Sequence, residues 1–314
     1  MKIWLNRLLP VISIVLAAGV AFFVPDSPSH PQAAHTYFLD VLIFFGALWL
    51  VLMAIPSQKL TAKLDVKARF YAGVVLFLNV LNILTVKCAV LPVLYFPSLD
   101  RIFGVLIEDS AFIAKCFLYS LRLLVSGWLC GALAGVGTGI AIGFCARTKY
   151  WVYPLVRVLG PIPSTAWIPI ALITFPTPVS ASAFLIALAV WFPTTVLTMS
   201  GIANIKQSYF EAAATLGAGR FYTIFKVGVP AAMPHMFIGL FNGTCSSFIT
   251  LVTAEMLGAK YGLGWYVNWQ KEMMAYAHVY AGLIVISLIC FCAITVLFKV
   301  RDRVLVWQKG VIKW

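Results

Sequence analysis

The sequence predicts an all-α protein that crosses a membrane about eight times. Three observations carry that fold class. The 314 residues are 62% hydrophobic and only 11% charged, with a mean hydropathy of +0.97, far from the balance of a soluble domain. Apolar runs of about 20 residues recur, the length a helix needs to cross a hydrocarbon core about 30 Å thick. The basic residues behind the net charge of +13 stand in short segments between those runs. That placement is a topology signal and argues against a nucleic-acid partner.

The spans are read at roughly 8–24, 38–56, 70–96, 115–145, 153–175, 181–201, 232–257 and 278–300. Lys2 and Arg7 precede the first, and Lys59, Lys63, Lys67 and Arg69 follow the second. Arg147 and Lys149 follow the fourth, and Lys206, Arg220 and Lys226 follow the sixth. Lys299, Arg301, Arg303, Lys309 and Lys313 close the chain. If every span crosses once, all of these fall on one side, which places both termini in the cytoplasm. The other side holds Asp26, Asp100, Glu108, Asp109 and Glu272 against Arg101, Lys260 and Lys271.

The first span has two readings, a signal peptide or an uncleaved helix. The lack of a clear Ala-x-Ala site before the polar stretch Asp26–Gln32 favours the helix. Deep in the third span, Lys87 either snorkels outward or faces a cavity, because a lysine in lipid is costly. Asn79 and Asn82 of the same span are expected to hydrogen-bond neighbouring helices. Pro97–Phe112 alternates apolar and charged residues at helical spacing, predicting an amphipathic helix on the outer membrane face.

In the fourth span, Gly127, Gly131, Gly135, Gly139 and Gly143 recur every four residues and share one helix face. Such a face lets another helix approach closely, either as static packing or as a pivot along which helices slide. The fifth span carries Gly160-Pro161-Ile162-Pro163-Ser164-Thr165-Ala166-Trp167-Ile168-Pro169. So many prolines cannot sit in an intact helix, and the carbonyls they free must be buried in protein or face a watery cavity. A broken helix of this kind either lines a transport pathway or is a kink with no solute contact.

The segment from Glu211 to Pro230, EAAATLGAGRFYTIFKVGVP, is polar and basic between long apolar runs. Ser208 followed by Glu211 fits a capping box, so a helix is expected to begin near Tyr209. Ala212, Ala213 and Ala214 favour helix with little bulk, suited to a partner's groove. Gly217 lets the chain turn, Gly219 loosens the same turn, and Pro230 and Pro234 bracket the start of the seventh span. A capped interfacial helix facing lipid phosphates is the bland alternative.

Taken together, Glu211-Ala212-Ala213, Gly217-Ala218 and Pro230 resemble the EAA loop of ABC-importer permeases. The Pro161–Pro169 run, Ser120-Leu121-Arg122, and Thr253–Ala259 followed by Gly262-Leu263-Gly264-Trp265 resemble the nitrate/sulfonate/taurine-type branch, from about Leu99 to about Lys299. One departure is Phe175-Pro176, where that branch usually has Phe-Gly. The resemblance implies a type I ABC-importer permease core at 70–314, with its coupling loop at about 204–234 and two additional helices at 1–69. It implies ATPase-coupling roles for Ser208, Glu211, Ala212, Ala213, Gly217, Ala218 and Pro230. It places a translocation pathway near Pro161, Pro163, Ser164, Trp167, Pro169 and Glu255. Glu255 either gates or contacts solute or sits among headgroups.

The partners implied are cytoplasmic ATPase subunits, a periplasmic or lipid-anchored substrate-binding protein, a second permease copy and the lipid of a bacterial inner membrane. The implied cargo is a small anion such as nitrate, a sulfonate, taurine or bicarbonate. The chain itself has no Gly-x-x-x-x-Gly-Lys-Ser/Thr, so ATP and Mg belong to the partner ATPase and no cofactor is expected here. The seven cysteines form no CxxC pair and read as small packing residues, and the four histidines are scattered, so no metal site is expected. An ion-coupled transporter or channel would show carboxylates deep in the spans, and a membrane enzyme would show clustered His, Asp or Ser; neither pattern is present.

Overall fold

The computed structural model describes residues 2–27, 35–55, 58–92 and 94–307. His30, most of the polar stretch Asp26–Gln32, Lys309 and Lys313 lie outside the described residues. Two compact units emerge: residues 1–111 with 269–281, and residues 112–268 with 282–314. The 69/70 boundary expected for the transport core lies within α3 (Gln58–Asn82), and the first compact unit runs to Ala111.

The first unit is built on α1 (Lys2–Phe23), α2 (Tyr37–Ala54), α3 (Gln58–Asn82) and the short α4 (Leu99–Glu108). Ile14 and Ala17 of α1 pack with Phe38 and Leu42 of α2, while Trp49, Leu64 and Ala68 form a second cluster. Arg7 and Asp65 pair across α1 and α3, with the second Arg7 amine 2.8 Å from the carboxylate. Within an apolar bundle such a pair compensates two costly charges with each other.

The third span departs from expectation at both ends. Its helix starts at Gln58, and it stops in a π-turn at Ile83–Lys87 rather than running to 96. Ala89 is turned to φ 48°, and Pro92 follows, so the helix cannot continue. Lys87 therefore ends the span, neither snorkelling nor facing a cavity. Its Nζ donates to Asp26 Oδ1 (2.7 Å), to Ala21 O (3.2 Å) and to Val24 O, so it neutralises the carbonyl end of α1. Asn79 and Asn82 are buried, but their Oδ1 atoms have no partner among the described residues, contrary to the expected interhelical bonds. The amphipathic helix forms as α4, capped by Ser98, whose hydroxyl accepts from Arg101 N. Asp100 of α4 accepts from Phe38 N (2.9 Å), and burial raises its pKa.

In the second unit, α5 (Ser110–Phe144) is followed by α6 (Ala146–Leu159), a 3₁₀ turn (Ser164–Trp167), α7 (Ile168–Thr174) and α8 (Pro178–Ala203). Then come α9 (Gln207–Thr215), α10 (Arg220–Tyr222), a π-turn (Thr223–Gly228), α11 (Val229–Gly258), α12 (Leu263–Glu272) and α13 (Tyr276–Val304). Seven helices among the described residues are long and apolar enough to cross a membrane. The expected fifth span is instead a pair, α6 and 164–174, bent by 91°. Counting that pair as one broken span gives eight.

The glycine row of α5 faces α8. A side chain added at Gly127, Gly135, Gly139 or Gly143 would meet Ile186, Thr194, Thr198 or Ile202 at 2.5–2.7 Å. At Gly131 it would run into the carbonyl of Ala187 and Val190 Cβ. Both helices thus contribute every fourth residue in one increasing register, so α5 and α8 run parallel and end together at Phe144 and Ala203. The α11 helix returns antiparallel, with Gly239 against Thr194 and Gly243 against Val190.

Candidate functional site

At the shared end of α5 and α8 lies the loop singled out by sequence. Lys206 is extended (ψ 130°) and α9 begins at Gln207, two residues before the expected start. Ser208 is consequently inside the first turn, with Tyr209 N bonded to Lys206 O (3.1 Å), and the anticipated Ser208–Glu211 capping box does not form. Glu211 and Ala212 face outward, whereas Ala213 is buried. The helix ends in a Schellman motif: Ala218 N bonds Ala213 O (3.0 Å) and Gly217 N bonds Ala214 O (2.9 Å). Gly217 takes φ +78° there, the conformation that glycine adopts without strain. Pro230 is the second residue of α11 and follows directly on the π-turn at Thr223–Gly228.

The loop is seated on α5. Phe210 meets Phe144 edge-on at 6.2 Å between ring centres, and Gly228 leaves room for the Phe144 ring. On its outer side it exposes apolar groups that sequence reasoning passed over: Leu216 is 88% exposed and Phe221 79% exposed. The sequence carried no clear signal for them, since single exposed apolar residues are common on protein surfaces. Beside it, Cys145 forms the N-terminal cap of α6. The Thr148 hydroxyl, then the Thr148 and Arg147 backbone amides and the Arg220 charge, lower its pKa to about 7 against partial desolvation.

The proline run makes the 91° bend. Pro163 and Ser164 line a cleft of about 350 Å³ with Thr165, Trp191 and, from α11, Ser246 and Thr250. Ser164 Oγ lies 2.7 Å from Thr250 Oγ1. Pro161 and Pro169 are exposed at the break, while Trp167 packs beside Ile168, Ala171 and Ala254 instead of on the cleft. Phe175-Pro176 forms the turn before α8, which Thr177 and Ser180 close with a capping box.

Glu255 lies apart from the cleft and is only 1% exposed. It is enclosed by protein rather than set among headgroups. Ser120 Oγ donates to its Oε1 (2.6 Å) and Gly264 N to its Oε2 (2.7 Å), while Leu263 N donates to Ser120 Oγ (2.8 Å). Glu255 thereby fastens the start of α12 to α5. The short α12 was not foreseen, because its polar sequence carries no strong period.

Comparison with known proteins places this geometry. The family model for binding-protein-dependent transport system inner membrane components matches residues 131–306. The taurine transport system permease protein of Escherichia coli is 30% identical over 189 residues, covering 60% of this chain and 69% of that protein. The nitrate import permease protein of Leptolyngbya laminosa is 32% identical over 170 residues, 52% of this chain and 61% of that one. A chain of the MetNI methionine ABC transporter, solved in inward-facing conformations, matches with a TM-score of 0.54 at 14% identity, over 63% of this chain and 98% of its own. That last likeness is one of fold. With more than half of its length, including the α9 loop, the break and Glu255, inside the family match, this chain belongs to the inner-membrane permease components of binding-protein-dependent ABC importers.

Proposed function

We propose that this permease conducts a small anion of the taurine, sulfonate, nitrate or bicarbonate kind, delivered by an external binding protein and driven by cytoplasmic ATPase subunits. Two copies of the chain form the pathway between them, in a bacterial inner membrane with both termini cytoplasmic. The transport core runs from within α3 onward (about 70–314), and residues 1–69, with α1 and α2, are an addition to it. Each ATPase grips α9 and the turn after it, through Glu211, Ala212 and Gly217, with Ala213, Ala218 and Pro230 holding the loop's shape. Solute passes the break at Pro163 and Ser164, which Pro161, Trp167 and Pro169 keep bent.

The observation that carries this reading is the Gly217 corner. A short helix, stopped by a Schellman turn and seated on Phe144, presents Leu216 at 88% exposure. An apolar side chain held that rigidly in the open suits a soluble partner's pocket better than a fluctuating lipid surface. Because α5 and α8 are parallel, this loop shares its membrane side with Arg147 and Lys149, which supports the cytoplasmic assignment.

The test is co-purification in mild detergent. The native chain is expected to retain an ATPase subunit and Gly217→Pro to lose it, since proline cannot adopt φ +78°. Recovery of a folded native chain with no ATPase would overturn the coupling assignment.

A further inference from the structure

The cleft at the break has a chemical character that the coupling role does not require. Its lining residues are uncharged, and its polar groups are mainly the hydroxyls of Ser164, Thr165, Ser246 and Thr250. Ile162, Leu188, Phe192 and Ile249 make the apolar wall. Thr250 Oγ1 is also 3.0 Å from Ser246 O, its acceptor one turn earlier on α11. The Thr250 proton is committed to that carbonyl, so Ser164 is the donor in the 2.7 Å hydroxyl pair. If the Ser164 proton turned elsewhere, Thr250 would keep its own bond. Little is lost when one neutral hydrogen bond replaces another.

We propose that this cleft is a solute site within the permease itself, where the Ser164 hydroxyl leaves Thr250 and donates to an acceptor oxygen of a small solute. The site rests on the reading of the chain as a solute pathway. It explains how the pathway passes cargo without trapping it: a fixed cation would hold an oxyanion tightly, whereas a shared hydroxyl holds it briefly. The ligand class is a small molecule with exposed acceptor oxygens, and a cation without acceptors has nothing to bind.

The test uses the full chain in membranes, with its seven cysteines replaced by alanine and Ile162→Cys as reporter. A small water-soluble thiosulfonate bearing an ethylsulfonate group is expected to label it at least about tenfold faster than Leu288→Cys on the apolar groove between α5, α11 and α13. Butanesulfonate is expected to slow the labelling severalfold and tetramethylammonium to leave it unchanged. Adding Ser164→Ala should abolish that protection. Adding Thr250→Val should keep or strengthen it, because Ser164 then has no competing acceptor. A purely structural role for the pair would move both variants in the same direction. Slow labelling of Ile162→Cys, equal protection by both ions, no protection by either, or loss of protection in both variants would each overturn the site. Capture of the ATPase by the same preparations is scored separately, so failure of coupling is distinguishable from failure of the cleft.

Discussion

Glycine does two opposite jobs in the second unit, in the α5–α8 seam and at the end of α9. Along the seam it is required for what surrounds it: α8 atoms stand within 2.9 Å of where a side chain would begin on Gly127, Gly135 or Gly139. At Gly217 there is nothing within 4 Å, and glycine is required for its backbone angle of +78°. One region is closed against any added atom. The other has space for a side chain but the wrong handedness for one. The seam is therefore a closely packed helix pair, and the loop is an exposed surface whose shape is set by its backbone.

The largest effect that would break this comparison belongs to the seam. Gly131→Leu drives a branched side chain into the Ala187 backbone, which cannot rotate away. Overpacking costs about 1–3 kcal/mol even where neighbours can yield, so loss of folded protein in detergent is expected, read as aggregation on size-exclusion chromatography. A monodisperse, ATPase-binding Gly131→Leu chain would show that α5 and α8 are not held in this register. Next in size is Glu255→Ala, which strands the Ser120 hydroxyl and the Gly264 amide in a buried place at about 1–3 kcal/mol each. A clear fall in thermal midpoint is expected, partly restored by Glu255→Gln, whose one amide oxygen can accept from Gly264 N while its NH2 donates to Ser120 Oγ.

The loop glycine should respond more mildly and selectively. Gly217→Val forces a branched residue into the left-handed region, at about 1–2 kcal/mol. ATPase capture is expected to fall steeply while the transmembrane bundle keeps its thermal midpoint. Gly217→Asn should behave almost like the native chain, because asparagine tolerates that angle. If Asn were as damaging as Val, the close approach of a partner, and not the angle, would be what glycine serves. Leu216→Asp keeps the backbone intact and is expected to weaken capture through lost apolar contact alone, without any change in midpoint.

How much of this was legible in advance follows the same division. The glycine row, the proline break and the Glu211–Pro230 pattern could be read because each depends on residue spacing within one segment. The partner of the glycine row could not, because Ile186, Val190, Thr194, Thr198 and Ile202 look like any apolar helix face until the register is known. The end of α3 was missed because the apolar run continues past Lys87, and the π-turn and the turned backbone at Ala89 leave no mark in composition. The capping box at Ser208 was a sound local pattern overridden by the extended backbone at Lys206, which starts α9 at Gln207. The enclosure of Glu255 could not be read, because an acid near a span end looks solvated and its donors at Ser120 and Gly264 are remote in sequence.

The smallest predicted effect is also the one that reads the two regions together. Cys145 leaves the end of the seam helix and is held near a pKa of about 7, with the Thr148 hydroxyl first among its causes and Arg220 of the loop last. A lowered thiol pKa means that the thiolate is the favoured form, so alkylation by iodoacetamide should rise through a midpoint near 7 rather than 9.0. Thr148→Val should move that midpoint upward by the larger step and Arg220→Gln by the smaller. The sign then separates two accounts of Gly217→Val. If the variant only misshapes the docking corner, Arg220 stays in place and the Cys145 midpoint does not move. If the variant instead releases α10 from its seat, Cys145 loses the Arg220 charge and its midpoint rises by the Arg220→Gln step, which would make the turn at Gly217 the element that ties the loop to the seam.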